Sequence, residues 1–321
     1  MAAIADNMTN SGNNKFRRKV EALIDTTLMQ QQLNARSLIL TIFGDSISTH
    51  GGFIWLGSLI SLVKPLGINQ RLVRTSVFRL SEKEVLQSRQ AGRRSFYSLT
   101  DKGFRQFRHA AERIYRHGNS TWDGEWRLVF TNLDKIKSKR REAFQKELNW
   151  LGFSRLSNGI YGHPTVDIEK VRQVVNEMKL QDSIVLMEAG NRNDDPLGAS
   201  RKLLRHAFKF DAINAEYREY IDSFETFLDG EVEPGPQDDE LCFLLRTLLI
   251  HRFRLILLHE PELPLELLPP DNLSQVARKM TARIYHRISD AAERHFMAIG
   301  ESEQGALPAA SAEYATRFPG S

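Results

Sequence analysis

Three consecutive stretches in the first third of the chain repeat apolar residues every three or four positions. They cover residues 36–43, 55–63 and 69–84, and this period is that of an amphipathic helix. A polar segment separates the first two stretches, and Gly67 provides a turn before the third. The pattern therefore predicts a unit of three helices.

The pattern changes to short β-prone runs after residue 84. Residues 85–90 and 95–99 are joined by a turn in which Gly92 can take a positive φ angle and two arginines lie at the tip. Helical spacing then returns over residues 101–116. Three helices followed by a two-stranded wing are typical of a winged helix-turn-helix, which we predict for residues 35–118.

A second unit is predicted over residues 119–190. It contains six elements, in which the spacing of apolar residues is that of a strand or that of a helix. They are a strand at 125–131, a helix at 137–151, strands at 153–156 and 160–163, a helix at 167–178 and a strand at 183–189. An Asn-Gly pair at 158–159 supplies the tight turn between the second and third strands. The order β-α-β-β-α-β indicates a ferredoxin-like sandwich.

Beyond a linker-like segment at 190–199, only helical periodicity remains, so residues 191–299 are predicted to form an all-α domain. The expected helices are at 200–228, 239–259 and 273–299. The polar residues 1–34 and the Ala, Ser, Gly and Pro-rich residues 300–321 are predicted to be a flexible arm and a flexible tail. The predicted fold class is therefore α+β with several domains.

Length and composition are those of a multidomain globular protein. A chain of 321 residues corresponds to two or three domains of ordinary size. The one cysteine, Cys242, cannot form a disulfide framework or a cysteine metal cluster within one chain. The most apolar stretch, 241–258, is interrupted by three arginines and a histidine, which makes it a poor membrane span. With no signal-peptide pattern, we expect a cytoplasmic protein without a membrane partner.

Basic residues are concentrated in the predicted winged helix. Residues 69–116 contain twelve Lys or Arg and four Asp or Glu, a net charge of +8, whereas the whole chain carries +4. The rest of the chain is therefore net acidic. Such segregation indicates a module that binds nucleic acid. The alternative, as for any run of charges, is a solvated helix face.

One face of the third predicted helix carries the residue types that contact bases in the major groove. Arginine can donate two hydrogen bonds to guanine O6 and N7, and hydroxyl groups can bond a base or a phosphate. The helix supplies Arg71, Arg74, Thr75 and Arg79, with Ser76 at the edge of the face. The wing adds Arg89, Arg93, Arg94 and Ser95. We expect the wing residues at phosphates or in the minor groove, where they mainly set affinity.

Motifs for catalysis are missing from the sequence, which has no Walker A loop, no GxSxG elbow and no HExxH helix. We expect no catalytic residue, no cofactor and no metal. The ferredoxin-like unit nevertheless resembles metal-dependent nucleases of the Cas2 type, which carry an aspartate at the end of the first strand. Here Phe130, Thr131 and Asn132 occupy that place, and Asp134 better fits a turn or a helix cap. The metal ligand is therefore absent from that place, which argues against hydrolysis. A metal-dependent nuclease or RNA-processing enzyme built on this unit is kept as the alternative hypothesis.

Several segments carry a family signature. They are GFIWLGSLISL at 52–62, RLVRTSVFRL at 71–80, GRRSFYSLTDKG at 92–103, TWDGEWRLV at 121–129, NWLGF at 149–153, LLIHRFR at 248–254 and PELPLELLP at 261–269. From about residue 35 to residue 287, the chain resembles the PaaX family of transcriptional repressors. The resemblance implies a repressor of an operon for aerobic phenylacetic acid degradation, with a Cas2-like middle domain and a helical C-terminal domain. It also implies that a homodimer binds a palindromic double-stranded DNA operator and is released by phenylacetyl-CoA.

An aromatic acyl-CoA needs aromatic side chains for its acyl group and cationic side chains for its phosphates. Residues that match the family pattern and have this chemistry are Trp122, Trp126, Arg254, Tyr285 and Arg287. His251, next to Arg254 on the same predicted helix, could also hold a carboxylate or phosphate. Structural roles explain these residues equally well, because the tryptophans can pack a domain junction and His251 and Arg254 can belong to an internal polar network.

Overall fold

The computed structural model describes residues 2–30, 33–116, 121–131, 138–190, 192 and 196–319. The fold is mixed α/β and divides into two compact units. The first unit contains Met1–His117, Tyr217–Leu257 and Gln275–Ser321, and the second contains Gly118–Glu216 and Leu258–Ser274. The all-α region expected over 191–299 is thus shared between the units. Helical periodicity identifies a helix but does not specify what it packs against.

Five helices make up the N-terminal part of the first unit. They are α1 (Ala2–Met29), α2 (Ala35–Ile42), α3 (Leu56–Val63), α4 (Gln70–Glu82) and α5 (Asp101–Tyr115). A side-chain cap fixes the start of α4, because Oδ1 of Asn69 accepts a hydrogen bond from the backbone N–H of Leu72 at 2.9 Å. The turn before it ends at Gly67, whose φ is 72°. The three helices that the apolar spacing predicts are therefore present as α2, α3 and α4.

An antiparallel sheet lies beside these helices. Its strands are β1 (Phe53–Trp55), β2 (Leu86–Ala91) and β3 (Arg94–Leu99), in the order β1-β3-β2. β2 and β3 are the two expected strands, and the turn between them has Gly92 at φ 60°. The sequence pattern does not predict β1, because these three residues become a strand only through pairing with β3, where Trp55 faces Phe96.

Both ends of the chain hold regular structure, which corrects the expectation of a flexible arm and a flexible tail. The side chains of Phe16 and Val20 in α1 are 1% and 0% exposed. Near the C-terminus, Leu307 and Phe318 are buried. This segment forms β8 (Glu301–Ser302), β9 (Gly305–Ala306) and α12 (Ala312–Ala315). A polar average composition conceals these few apolar side chains, whose burial stabilises the packed state.

Two long helices build the rest of the first unit, α10 (Asp239–His259) and α11 (Ser274–Ile299), together with the end of α9 (Phe210–Phe224). α10 is buried on most sides. Its Cys242 is a free thiol, and burial raises the pKa of that thiol to about 12. Within the described parts of the chain, no helix has both the length and the apolar content required to cross a membrane.

The second unit is built on a four-stranded antiparallel sheet. It contains β4 (Glu125–Thr131), α6 (Ser138–Trp150), β5 (Ser154–Ser157), β6 (Ile160–His163), α7 (Ile168–Glu177), β7 (Ile184–Gly190) and α8 (Pro196–Ala207). The strand order is β5-β6-β4-β7. The elements from β4 to β7 follow the predicted order, and Val129, Phe144 and Leu148 lie in their common core.

The helix expected over 200–228 is broken into α8 and α9. The break lies at Lys209, whose φ of 53° places it in the left-handed region. A non-glycine residue in this region interrupts the helical backbone, although its side chain gives no signal of the break in an apolar pattern.

Candidate nucleic-acid interface

The face of α4 that is directed away from the core carries the arginines. Arg71, Arg74 and Arg79 are exposed, while Val73 and Val77 are fully buried on the opposite face. Thr75 is exposed as well, and its Oγ1 donates a hydrogen bond to the carbonyl of Arg71 at 2.9 Å. Helical periodicity thus separates a packing face from a charged face, as the sequence predicts.

Ser76 does not lie on the charged face. Its side chain is 3% exposed and packs with the buried face of α4. At 100° per residue it lies at the boundary between the two faces, and only the neighbouring helices decide on which side of that boundary it falls. It is therefore removed from the candidate contacts to bases.

Two apolar side chains also lie on the surface of α4. Leu72 is 44% exposed and Phe78 is 63% exposed. Large apolar side chains beside arginines are suited to contacts with the methyl groups of thymine or with a partner surface. Sequence reasoning missed them because an apolar residue in a helix is normally assigned to the core.

The β2–β3 hairpin presents three exposed arginines, and two of them are held by acidic side chains. Arg94 Nη1 lies 2.5 Å from Glu301 Oε2, and Arg89 Nη1 lies 3.2 Å from Glu303 Oε2. In the described part of the chain, Arg93 at the turn has no ion pair, and Ser95 is half-buried. The wing therefore offers Arg93 directly and the other two arginines only in competition with carboxylates.

A buried ionic network lies in the same unit. Asp45, in the π-helical turn Phe43–Ile47 that continues α2, accepts a hydrogen bond from Tyr115 Oη at 2.6 Å. Its other carboxylate oxygen lies 3.1 Å from Nε of Arg246, and Arg317 Nη1 lies 3.2 Å from Oδ1. Arg246 is 0% exposed, so the pair is sheltered from water. The network joins the N-terminal elements to α10 and to the C-terminal segment.

The six candidate effector residues are divided between the two units. Trp122 and Trp126 pack edge to face in the second unit, with ring centroids 6.4 Å apart. The backbone N–H of Trp122 donates to Glu266 at 2.7 Å. Trp126 is only 6% exposed, which favours packing over the stacking of a ligand.

The other four candidates lie in the first unit, and each has partners there. His251 Nδ1 is 3.0 Å from Thr41 Oγ1, which also accepts from Arg254 Nε at 3.2 Å. Burial, reinforced by neighbouring arginines, lowers the pKa of His251 to about 3, so its imidazole is neutral. Tyr285 Oη donates to Asp45 at 3.1 Å, and Arg287 forms an ion pair with Glu233. These contacts favour the interpretation as internal polar networks.

A basic cleft in the second unit was not anticipated from the sequence. It has a volume of about 620 Å³ and is lined by Arg155, Arg205, His206 and Lys209, with Asp211 as the acidic member. Arg205 is already paired, since its guanidinium lies 2.6 Å from Asp211 and 2.9 Å from Asp271. The residues that line the cleft come from separate parts of the sequence. They come together where the end of α8 lies beside β5.

The nuclease hypothesis requires a metal site at the end of β4, and part of that position lies outside the described residues. Asn132 and Asp134 do not belong to the described residues. Among the residues that are described, no group of three His, Cys, Asp or Glu side chains is placed to hold a metal ion.

Known protein families match this chain in three successive segments. The family model described as "PaaX-like protein" matches residues 34–103, "PaaX protein central Cas2-like domain" matches 119–199, and "PaaX-like protein C-terminal domain" matches 208–298. The middle segment is therefore a Cas2-like domain.

Two individual proteins are similar over most of the chain. The Transcriptional repressor PaaX of Escherichia coli (strain K12) is 36% identical over 308 residues, which covers 94% of this chain and 95% of that protein. The solved structure of the uncharacterized protein Rv0674 from Mycobacterium tuberculosis matches with a TM-score of 0.54 and 18% identity, over 82% of this chain and 98% of that one, and it supports the fold alone. The identity and coverage of the first comparison show that the chain belongs to the PaaX family.

Proposed function

We propose that the protein is a transcriptional repressor of a phenylacetic acid catabolic operon and has no enzymatic activity. The observation that carries the proposal is the charged face of α4, where Arg71, Arg74 and Arg79 are exposed and directed away from the core. Membership of the PaaX family supports it, as does the similarity to the transcriptional repressor from E. coli. The nuclease alternative is not favoured, because the relative that matches nearly the whole chain is a repressor.

The DNA-binding part is a winged helix-turn-helix formed by α2, α3, α4 and the β1-β3-β2 sheet. In this proposal α4 enters the major groove, and its arginines donate to guanine edges, each bidentate pair contributing about 1–3 kcal/mol of discrimination. Thr75 assists at a base or a phosphate. The wing, with Arg93 at its turn, contacts the backbone or the minor groove. A homodimer would place two such helices on a palindromic operator.

The effector in this proposal is phenylacetyl-CoA, which binds a conformation of the dimer that no longer fits the operator. The basic cleft of the second unit supports a site for its phosphates, because Arg155 and Lys209 line a space whose volume lies within the usual range for ligand pockets. The cytoplasm, where operator and thioester are both present, is the expected location.

A binding experiment tests the proposal. Selection from a random duplex library, followed by titration of the selected sequence against a scrambled duplex, should give a palindromic site with an affinity at least about a thousandfold above the scrambled sequence. Phenylacetyl-CoA, but not free CoA, should release the protein. Equal affinity for selected and scrambled DNA at physiological salt would contradict a repressor function, and Mg²⁺-dependent cleavage of labelled DNA or RNA would contradict the absence of enzymatic activity.

A further inference from the structure

We propose that the acidic hairpin of residues 301–306 is an internal competitor for DNA phosphate, which occupies two arginines of the wing and lowers the affinity of the protein for DNA. The inference rests on the proposed DNA-binding function and adds a regulatory role for a segment that the sequence analysis expects to be a loose tail.

The contacts that support this role are ion pairs between segments about 200 residues apart. Glu301 Oε2 lies 2.5 Å from Arg94 Nη1, and Glu303 Oε2 lies 3.2 Å from Arg89 Nη1. A carboxylate at these distances occupies the same donor groups that a phosphate oxygen would use. The hairpin thus places two negative charges where the wing would otherwise meet the DNA backbone.

The backbone holds Glu301 in place. The N–H of Glu301 donates to Ser58 Oγ at 3.1 Å, next to the strand β1 that pairs with the wing. The hairpin is anchored at its end by Leu307, which is 4% exposed. Gly300 suits this packing, because a Cβ atom there would lie 2.9 Å from the backbone carbonyl oxygen of Phe296 and 2.2 Å from a methyl carbon of Leu307. The position of Glu301 is therefore set by the fold and does not depend on its own ion pair.

The side chain of Arg94 is also held in one orientation. The guanidinium carbon of Arg94 lies 4.4 Å from the ring centroid of Trp55, so the side chain is held between an indole face and a carboxylate. Both partners of the Arg94–Glu301 pair remain about half exposed, with side chains that are 51% and 41% accessible. A pair so open to water is weak, and a phosphate can displace the carboxylate.

Displacement does not remove the negative charge from the interface. Because Glu301 is anchored, its carboxylate stays within the Debye length of about 8 Å from any phosphate that reaches Arg94, and repels it. DNA binding through the wing therefore proceeds against the two acids of the hairpin, and the wing contributes less affinity than its three arginines would indicate. This competition keeps non-specific binding weak while the contacts of α4 to bases are unaffected.

The test is the double substitution E301Q/E303Q, which keeps the shape of the hairpin and removes both charges. A matched control is E21Q/D25N, which removes two charges from exposed positions of α1 in the same unit. Affinity for a scrambled duplex is measured between about 50 and 200 mM salt. The E301Q/E303Q protein should bind about tenfold more tightly at the low-salt end, and its salt dependence should steepen by up to about 1.8 in log–log slope, about 0.9 for each phosphate gained. The control should stay within about twofold of the wild type.

Unchanged affinity and slope relative to the control, or weaker binding, would overturn the inference, since weaker binding would mean that the acids brace the wing. The single variant E303Q, at an exposed position, repeats the measurement if the double variant is unstable. Failure of the proposed function looks different: the wild type would then show no preference for any selected duplex, and R74A would bind DNA as the wild type does.

Discussion

Arg246 is completely buried, and its Nε lies 3.1 Å from Oδ2 of Asp45. The two residues come from α10 and from the turn that follows α2, so the pair joins the N-terminal helices to the helical core of the first unit. Glu293 and Tyr314 also contact the guanidinium. A conformational change that alters this network would therefore affect both the N-terminal helices and the helical core.

Replacing Arg246 with methionine should strongly destabilise the protein. The substitution leaves Asp45 buried without one of its two arginine partners, and breaking a buried pair on one side typically costs about 3–5 kcal/mol. The free energy of unfolding in urea measures the effect. Arg294→Met provides the control, because Arg294 is 59% exposed in its pair with Asp239 and should cost less than about 1 kcal/mol. A loss below about 1 kcal/mol in the Arg246→Met variant, as small as that of the control, would show that the buried network does not stabilise the fold.

Arg74→Ala should weaken operator binding more than non-specific binding. A bidentate contact to guanine contributes about 1–3 kcal/mol of discrimination, which is about a fivefold to 150-fold loss for the operator. Operator and scrambled duplexes are titrated side by side. Ser76→Ala serves as the comparison, because Ser76 is buried and should leave the ratio of the two affinities unchanged. Loss of specificity in Ser76→Ala but not in Arg74→Ala would contradict the assignment of the α4 face.

Arg93→Ala should weaken binding to operator and scrambled DNA by the same factor. Arg93 is at the wing turn and we expect it to contact a phosphate, which carries no sequence information. The log–log salt slope should become shallower by about 0.9. A change in the ratio of specific to non-specific affinity, with no change in slope, would place this arginine at a base.

Lowering the pH should destabilise the protein through His251. Burial lowers the pKa of this imidazole from 6.5 to about 3, so below pH 6.5 the unfolded chain takes up a proton that the folded chain does not. The stabilisation is complete above pH 6.5 and is lost as the pH falls from there towards 3, by about 1.4 kcal/mol per pH unit.

Unfolding in urea at pH 7 and pH 5 measures this slope for the wild type and for His251→Gln. His163 in the second unit contributes in the same direction, because burial, with Arg127 adding to it, lowers its pKa to about 4. The variant should therefore keep part of the pH dependence and lose the share of one histidine. An identical pH dependence in both proteins would mean that His251 is accessible to protons in the folded state.

Local patterns were sufficient for the elements of the candidate interface. The spacing of Val73 and Val77 predicts a helix with a buried face. Arg71, Arg74 and Arg79 must then lie on the other face, because side-chain direction in a helix follows from backbone geometry alone. The turn at Gly92 and the order of elements from β4 to β7 were also predictable, because a glycine turn and a change in the period of apolar residues are local features of the chain. The role of Ser76 could not be predicted, since a residue at the boundary of two faces is assigned by its neighbours.

By itself, the sequence determined the helices α2 to α7 and the strands β2 to β7, the concentration of positive charge on one module and the family to which the chain belongs. Only the tertiary structure decided which charges meet. Glu301 reaches Arg94 across 207 positions, and Arg246 pairs with Asp45, which precedes it by about 200 positions. Periodicity extends over a few turns of a helix or a few residues of a strand, whereas these contacts depend on the path by which the chain returns to its own N-terminal elements.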